Sequence, residues 1–242
     1  MARAKSQSAR KPRARKRKWW VYLLALLVLS AIGVWSWNWW EMRSWVPSAE
    51  LYPEQGAAIS EYQGTVAFPT LRARGAQFVY LAASSGASGQ DGRFGDNLKS
   101  ARDAGLKIGA VHGFDPCIPA DQQSANFVTM VPRDDRLLPP AIALYDTSDD
   151  CSEKVSDASV ESELMTLINQ VEMHSGKPVM LKVSERFEKR YRISAQLERG
   201  LWLTRDKIAP AYGGRPWLMW SASRSLVTQA SSEPVEWLVV QP

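Results

Sequence analysis

Leu138 to Asp146 reads LPPAIALYD: two prolines, then four consecutive apolar residues, then a polar end. An unbroken apolar run of that length suits a strand buried on both faces, and such strands belong to parallel sheets covered by helices. In an α/β barrel the carboxyl end of such a strand opens onto the active site, so Ala143, Leu144 and Tyr145 decide the chemistry there. None of the three is a conventional catalytic acid or base.

From Gly56 onward, strand-like runs alternate with helical stretches. The strand candidates are Ala57 to Ser60, Gln77 to Ala82, Lys107 to His112, Ala141 to Tyr145, Pro178 to Val183, Gly200 to Thr204, Trp217 to Trp220 and Val235 to Val240. Helix-like segments run from Phe68 to Arg74, Asp96 to Ala104, Ala120 to Met130, Val160 to His174 and Ser194 to Lys207, the last overlapping a strand candidate. This alternation predicts an α/β fold with a parallel sheet, and the strand count in under 200 residues suits a compact, irregular (β/α) TIM-like barrel over residues 56–242.

The first 18 residues hold nine Lys or Arg and no acid, and run into a largely apolar segment from Trp19 to Trp40. About 20 residues in one helix cross a bilayer core, so residues 19–40 are expected to form a transmembrane helix, with 41–55 as a linker. A cleavable signal peptide fits less well: the apolar run exceeds the usual signal core and no small-x-small site follows it. Aromatic residues bracket the run, Trp19, Trp20 and Tyr22 before it and Trp35, Trp37, Trp39, Trp40 and Trp45 at its end, as expected for both membrane interfaces. The basic tail before it predicts a cytoplasmic N-terminus. The expected localisation is the inner or plasma membrane, single-pass, with the C-terminal domain periplasmic or extracellular. Of the 30 Lys and Arg, 21 lie beyond the tail and face all 25 Asp and Glu, so the basic balance belongs to the tail. Its place beside the membrane favours topology and anionic-lipid contact, and no nucleic-acid partner is expected.

Read together, GAAISEYQG (Gly56 to Gly64), FVYLAASSG (Phe78 to Gly86), GAVHGF (Gly109 to Phe114) and LPPAIALYD resemble the glycoside hydrolase family 25 lysozymes. Their matching segments run close to G-I-D-V-S-H-Y-Q-G, F-V-Y-x-K-A-T-E-G, G-A-Y-H-F and P-P-V-L-D-x-E. RPWLMW and PVEWLVV are similar to the family's R-P-W-x-F-W-Q-Y and P-V-D-x-N-x-F. The resemblance implies a muramidase barrel acting on peptidoglycan. Cleaving its β-1,4 bond needs one carboxyl group to protonate the leaving oxygen and another to stabilise the transition state. The family takes these from the Asp of its first strand and the Asp and Glu of D-x-E; here those positions are Ala58, Ala143 and Tyr145. A methyl group transfers no proton, and a phenol with a pKa near 10 is a poor acid at neutral pH.

Glu61, three residues after Ala58, is a possible substitute acid, whereas Asp146, Asp149 and Asp150 read as solvated loop acids. Glu61, Tyr62, His112, Tyr145 and Trp220 are the candidates for a glycan groove; Tyr80 and Trp202 read as barrel core. Cys117 and Cys151, each following a strand, are expected to pair in an oxidising compartment. His112 and His174 lie far apart, so no cluster has metal-ligand spacing, and no metal or cofactor is expected. The sequence lacks G-x-S-x-G, HExxH and a phosphate-binding glycine loop. The expected function is a membrane-anchored, lysozyme-like domain that binds peptidoglycan or another glycan with impaired or no catalysis. The alternatives are an active muramidase using relocated acids such as Glu61, and an envelope module that binds a protein partner.

Overall fold

A computed structural model describes residues 19–242; the basic tail, residues 1–18, lies outside the described residues. The chain divides into an N-terminal unit up to Met42 and a barrel unit from Arg43 to Pro242. Helix α1 (Trp19–Ser44) begins in the first. Its stretch Trp19–Trp37 has a mean hydropathy of 1.9 and no buried residue, long and apolar enough to cross a membrane. The segment is apolar all round, with no preferred face for packing on a core.

The barrel unit has strands β1 (Gln55–Ile59), β2 (Ala76–Ser85), β3 (Gly89–Gln90), β4 (Lys107–Gly113), β5 (Ala141–Leu144), β6 (Met180–Val183), β7 (Gly200–Thr204), β8 (Met219–Leu226) and β9 (Val235–Val240). The sheet order is β1-β9-β8-β7-β6-β5-β4-β2-β3, and a further β1–β2 pairing closes eight strands into a barrel, with β3 an appended hairpin arm. Neighbours are parallel from β1 through β2, β4, β5, β6 and β7 to β8. β9 is antiparallel to both β1 and β8, the one irregularity in the otherwise parallel barrel. No helix separates β8 from β9, so the chain turns straight back and β9 must run the opposite way.

Helices α2 (Phe68–Ala73), α3 (Phe94–Asp103), α4 (Ala120–Met130), α5 (Asp157–Ser175), α6 (Glu185–Tyr191) and α7 (Ile193–Gln196) complete the unit. In α5, Val160, Leu164, Leu167, Ile168 and Val171 form one buried stripe. Ser156 caps its start by accepting from the Ser159 N–H, and Gly176, at φ 68°, ends it in the left-handed conformation that costs glycine least. All four residues of β5 are buried, and the ladder to β6 begins one residue earlier, at the Pro140 carbonyl, which accepts from the Met180 N–H at 2.8 Å.

The expected helix from Ser194 to Lys207 is corrected to a short turn of helix followed by β7. Leu201, Trp202 and Leu203 are all buried, as a strand covered on both faces requires and a one-faced helix does not provide. Part of the stretch expected to be a linker packs on the barrel. With no helix after β8, the outer side chains Trp220, Ala222 and Val239 need a cover, and Trp45 and Tyr52 supply part of it. The Gln55 side chain fastens this strap: its amide donates to the Pro47 and Tyr52 carbonyls, and its oxygen accepts from the Trp237 indole at 2.7 Å.

Candidate functional site

A cleft of about 940 Å³ opens at the carboxyl ends of the parallel strands. Ala58, Ala143 and Tyr145 all line it, so the three positions singled out by the sequence face the cleft, and none carries a carboxylate. Asp146, one residue past Tyr145, is exposed and absent from the lining, as strand alternation dictates. Asp149 and Asp150 pair with Arg190 and Arg186 at 2.8 and 2.9 Å, which holds the loop after β5. The Cys117–Cys151 disulfide ties that loop to the one after β4.

On one side of the cleft, a turn of 3-10 helix (Glu61–Gln63) presents Glu61 and Tyr62. Ser60 caps it reciprocally with Gln63. Glu61 is not a free acid: its Oε2 accepts from the Gly92 N–H at 2.9 Å. Beneath it, Asp91 accepts from the Glu61 N–H at 2.6 Å and from the Arg93 N–H at 2.9 Å, locking the turn to the loop before α3. Burial raises the Asp91 pKa, and the two N–H donors only partly offset it. Tyr62 is 67% exposed, its hydroxyl donating to Glu233 at 3.3 Å, and Tyr145 is 42% exposed.

The other side is built from β6, β7, β8 and β9. Lys182, only 5% exposed, donates to Glu236 Oε2 at 2.7 Å and lies 4.1 Å from the centre of the Trp202 ring and 5.8 Å from that of Tyr145. The Trp202 indole donates to Ser221 Oγ at 2.7 Å, and the Ser221 hydroxyl donates to the second oxygen of Glu236. Burial opposes the Lys182 ammonium, but Glu236 and Tyr145 outweigh it and its pKa lies above the ordinary value. Burial likewise raises the Tyr145 phenol despite the nearby ammonium. Glu236 reaches the cleft because β9 runs backwards, which puts its second residue opposite Ala58.

Two groove candidates are corrected. His112 faces the helix layer: it is 0% exposed, with Nδ1 2.8 Å from Ser84 Oγ and its ring edge-on to Phe127. Its Nε2 is buried without a hydrogen-bond partner. Burial pulls its pKa down to about 4. Trp220 also points outward, under the strap, its indole donating to the Arg205 carbonyl at 2.6 Å. Both stand one residue out of phase with inward neighbours, Val111 at the cleft and Ser221 inside the barrel against Trp202 and Glu236, and alternation puts them on the far side of the sheet. Lys182 was missed, though a lysine inside the apolar run VMLKV, two residues from Met180, signals a charge inside the barrel. Among the described residues no group of three or more His, Cys, Asp or Glu could hold a metal ion.

Both oxygens of Glu236 and both of Asp91 are engaged, and Glu61 is left with one uncommitted oxygen among exposed rings.

A closed eight-stranded α/β barrel with its cleft at the carboxyl mouth defines the class. Residues 58–229, well over half of the chain, match the family described as Glycosyl hydrolases family 25, and the chain belongs to that family. A family 25 glycosyl hydrolase from Bacillus anthracis superposes with a TM-score of 0.71 at 23% identity, over 79% of this chain and 90% of that one. The bacterial lysozyme from Streptomyces coelicolor gives 0.70 at 20%, over 78% and 92%. A family 25 lysozyme from Aspergillus fumigatus gives 0.66 at 20%, over 78% and 94%. These structures establish the shared fold. Lysozyme M1 from Streptomyces globisporus is 30% identical over 89 residues, so the match spans 35% of this chain and 30% of that protein.

Proposed function

We propose that this chain is a membrane-anchored lysozyme-like domain that binds peptidoglycan glycan strands at the cell envelope and does not cleave them. The observation that carries the reading is the replacement of acids at the cleft-facing positions by Ala58, Ala143 and Tyr145, in a cleft that stays open and flanked by exposed Tyr62 and Tyr145. A groove needs aromatic surface and hydrogen-bonding groups to hold a sugar, and these outlast the loss of a proton donor. The nine basic residues before Trp19 and the aromatic residues at both ends of the apolar stretch support an uncleaved anchor with its N-terminus inside.

The remaining free oxygen of Glu61 favours one second reading, an active muramidase with a relocated acid. Incubating the full-length protein in detergent with isolated sacculi separates the two. Co-sedimentation without soluble muropeptides supports the binding reading. Muropeptide release that disappears in Glu61→Gln replaces it with the hydrolase. Neither sedimentation nor release replaces both with a domain that binds an envelope protein.

A further inference from the structure

The barrel has a second cavity, of about 350 Å³, at its opposite mouth, where the parallel strands begin. Phe78 and Tyr80 of β2, Met180 of β6, Met219 and Leu218 at the start of β8, and Val240 at the end of β9 form its walls. Barrels of this size are normally filled by their inward side chains. Here Phe78, Tyr80, Met180, Trp202, Met219 and Leu238 pack together as that filling, and the cavity is the space left beside them at the amino mouth. A β-carbon at Gly56 would collide with the Phe78 ring and one at Gly109 with the Tyr80 ring, so both rings lie flat against neighbouring strands. The Tyr80 hydroxyl is committed to the Pro139 carbonyl at 3.0 Å and offers the cavity no free donor.

Water is held poorly in such a space, since it needs two to four polar partners, whereas a dry apolar cavity of roughly 150 Å³ is known to take benzene. The charges at the mouth bear on the ligand's own charge. Glu54 pairs with Lys107 and Arg199 with Glu172, leaving Glu198 to disfavour an anionic head group. We infer that this amino-end cavity is a binding site for a small hydrophobe that carries no negative charge, of two fused rings or an alkyl chain of similar bulk. It is separate from the glycan cleft, with Tyr80 bordering both.

The test uses the full-length protein in detergent micelles, labelled with ¹³C at the methionine methyls and titrated with naphthalene. Saturable ring-current shifts are expected at Met180 and Met219, which are buried, and not at Met165 and Met173 on the exposed side of α5. Leu218→Trp fills the mouth and Val240→Phe fills the wall; either folded variant should lose the saturable shift. The inference is overturned if Met180 and Met219 drift only as Met165 and Met173 do, or if the saturable shift survives in the filled barrel. Sacculus binding is a separate readout, so failure here leaves the glycan reading standing, and the reverse.

Discussion

The two walls of the cleft handle charge in opposite ways. At the ends of β1 and β5 the cleft is lined by the methyl groups of Ala58 and Ala143 and the phenol of Tyr145, which need no counter-charge. On β6 to β9 stands the carboxylate of Glu236, held by an ammonium, a hydroxyl and, through that hydroxyl, an indole. A carboxylate inside a barrel must be either solvated for chemistry or paired; at Ala58, Ala143 and Tyr145 there is no carboxylate to hold, and on the other wall the carboxylate is paired. The two solutions predict very different sensitivity to mutation. Lys182→Ala, which leaves Glu236 without its ammonium, should destabilise the barrel by about 3–5 kcal/mol in chemical denaturation. Lys182→Met with Glu236→Leu should recover most of that loss. Equal losses in the single and double variants would break the contrast, because they would mean that the ion pair contributes only volume.

His112 offers a third solution, a titratable ring kept neutral. Its folded pKa of about 4 lies below the unfolded value near 6.5, so below pH 6.5 the unfolded chain takes up the proton first. Stability is therefore fully present above pH 6.5, falls as pH drops towards 4, and levels off below that, a loss of about 3 kcal/mol from this residue. Denaturation of wild type and His112→Gln at pH 7.5 and 4.5 isolates the contribution from that of the acids. A variant with the same pH slope as wild type would remove His112 from the account.

Much of the barrel was legible because its strands are short apolar runs between helices with clear ends, such as Ser156 and Gly176 around α5. The cleft-facing positions of Ala58, Ala143 and Tyr145 were legible too, since the PP-A-I-A-L-Y pattern fixes both where β5 starts and which residues share a face. What the sequence concealed depends on strand direction and phase. Nothing local says that PVEWLVV runs antiparallel, and only that reversal carries Glu236 to the carboxyl mouth. His112 and Trp220 look like sugar-binding residues at strand ends, but one step of alternation sends both outward. The strap from Trp45 to Glu54 read as a linker because its partners, Trp217 and Trp220, lie some 170 residues away and become a surface only once β8 lacks a helix.

Within the paired wall, Ser221 tests whether the network acts as a unit. Ser221→Ala removes the acceptor for the buried Trp202 indole and the donor to Glu236 together, and should cost about 1–3 kcal/mol. In the Lys182→Met, Glu236→Leu background the cost should shrink to that of the indole alone. Additive costs in the two backgrounds would mean that the serine is coupled to the tryptophan only.

The smallest effects on stability belong to the turn at the emptied wall, and there the functional readings diverge most. Glu61 and Tyr62 are exposed and held by single hydrogen bonds, to Gly92 and Glu233. Glu61→Gln and Tyr62→Ala should each shift stability by roughly 0.5 kcal/mol or less. If the cleft binds without cutting, Tyr62→Ala weakens sedimentation with sacculi several-fold, because it deletes an exposed platform. Glu61→Gln then changes little, since the amide oxygen still accepts from the Gly92 N–H. If Glu61 is an acid, the order reverses: the amide abolishes muropeptide release while sedimentation persists, and the lost proton, not a lost contact, explains the phenotype.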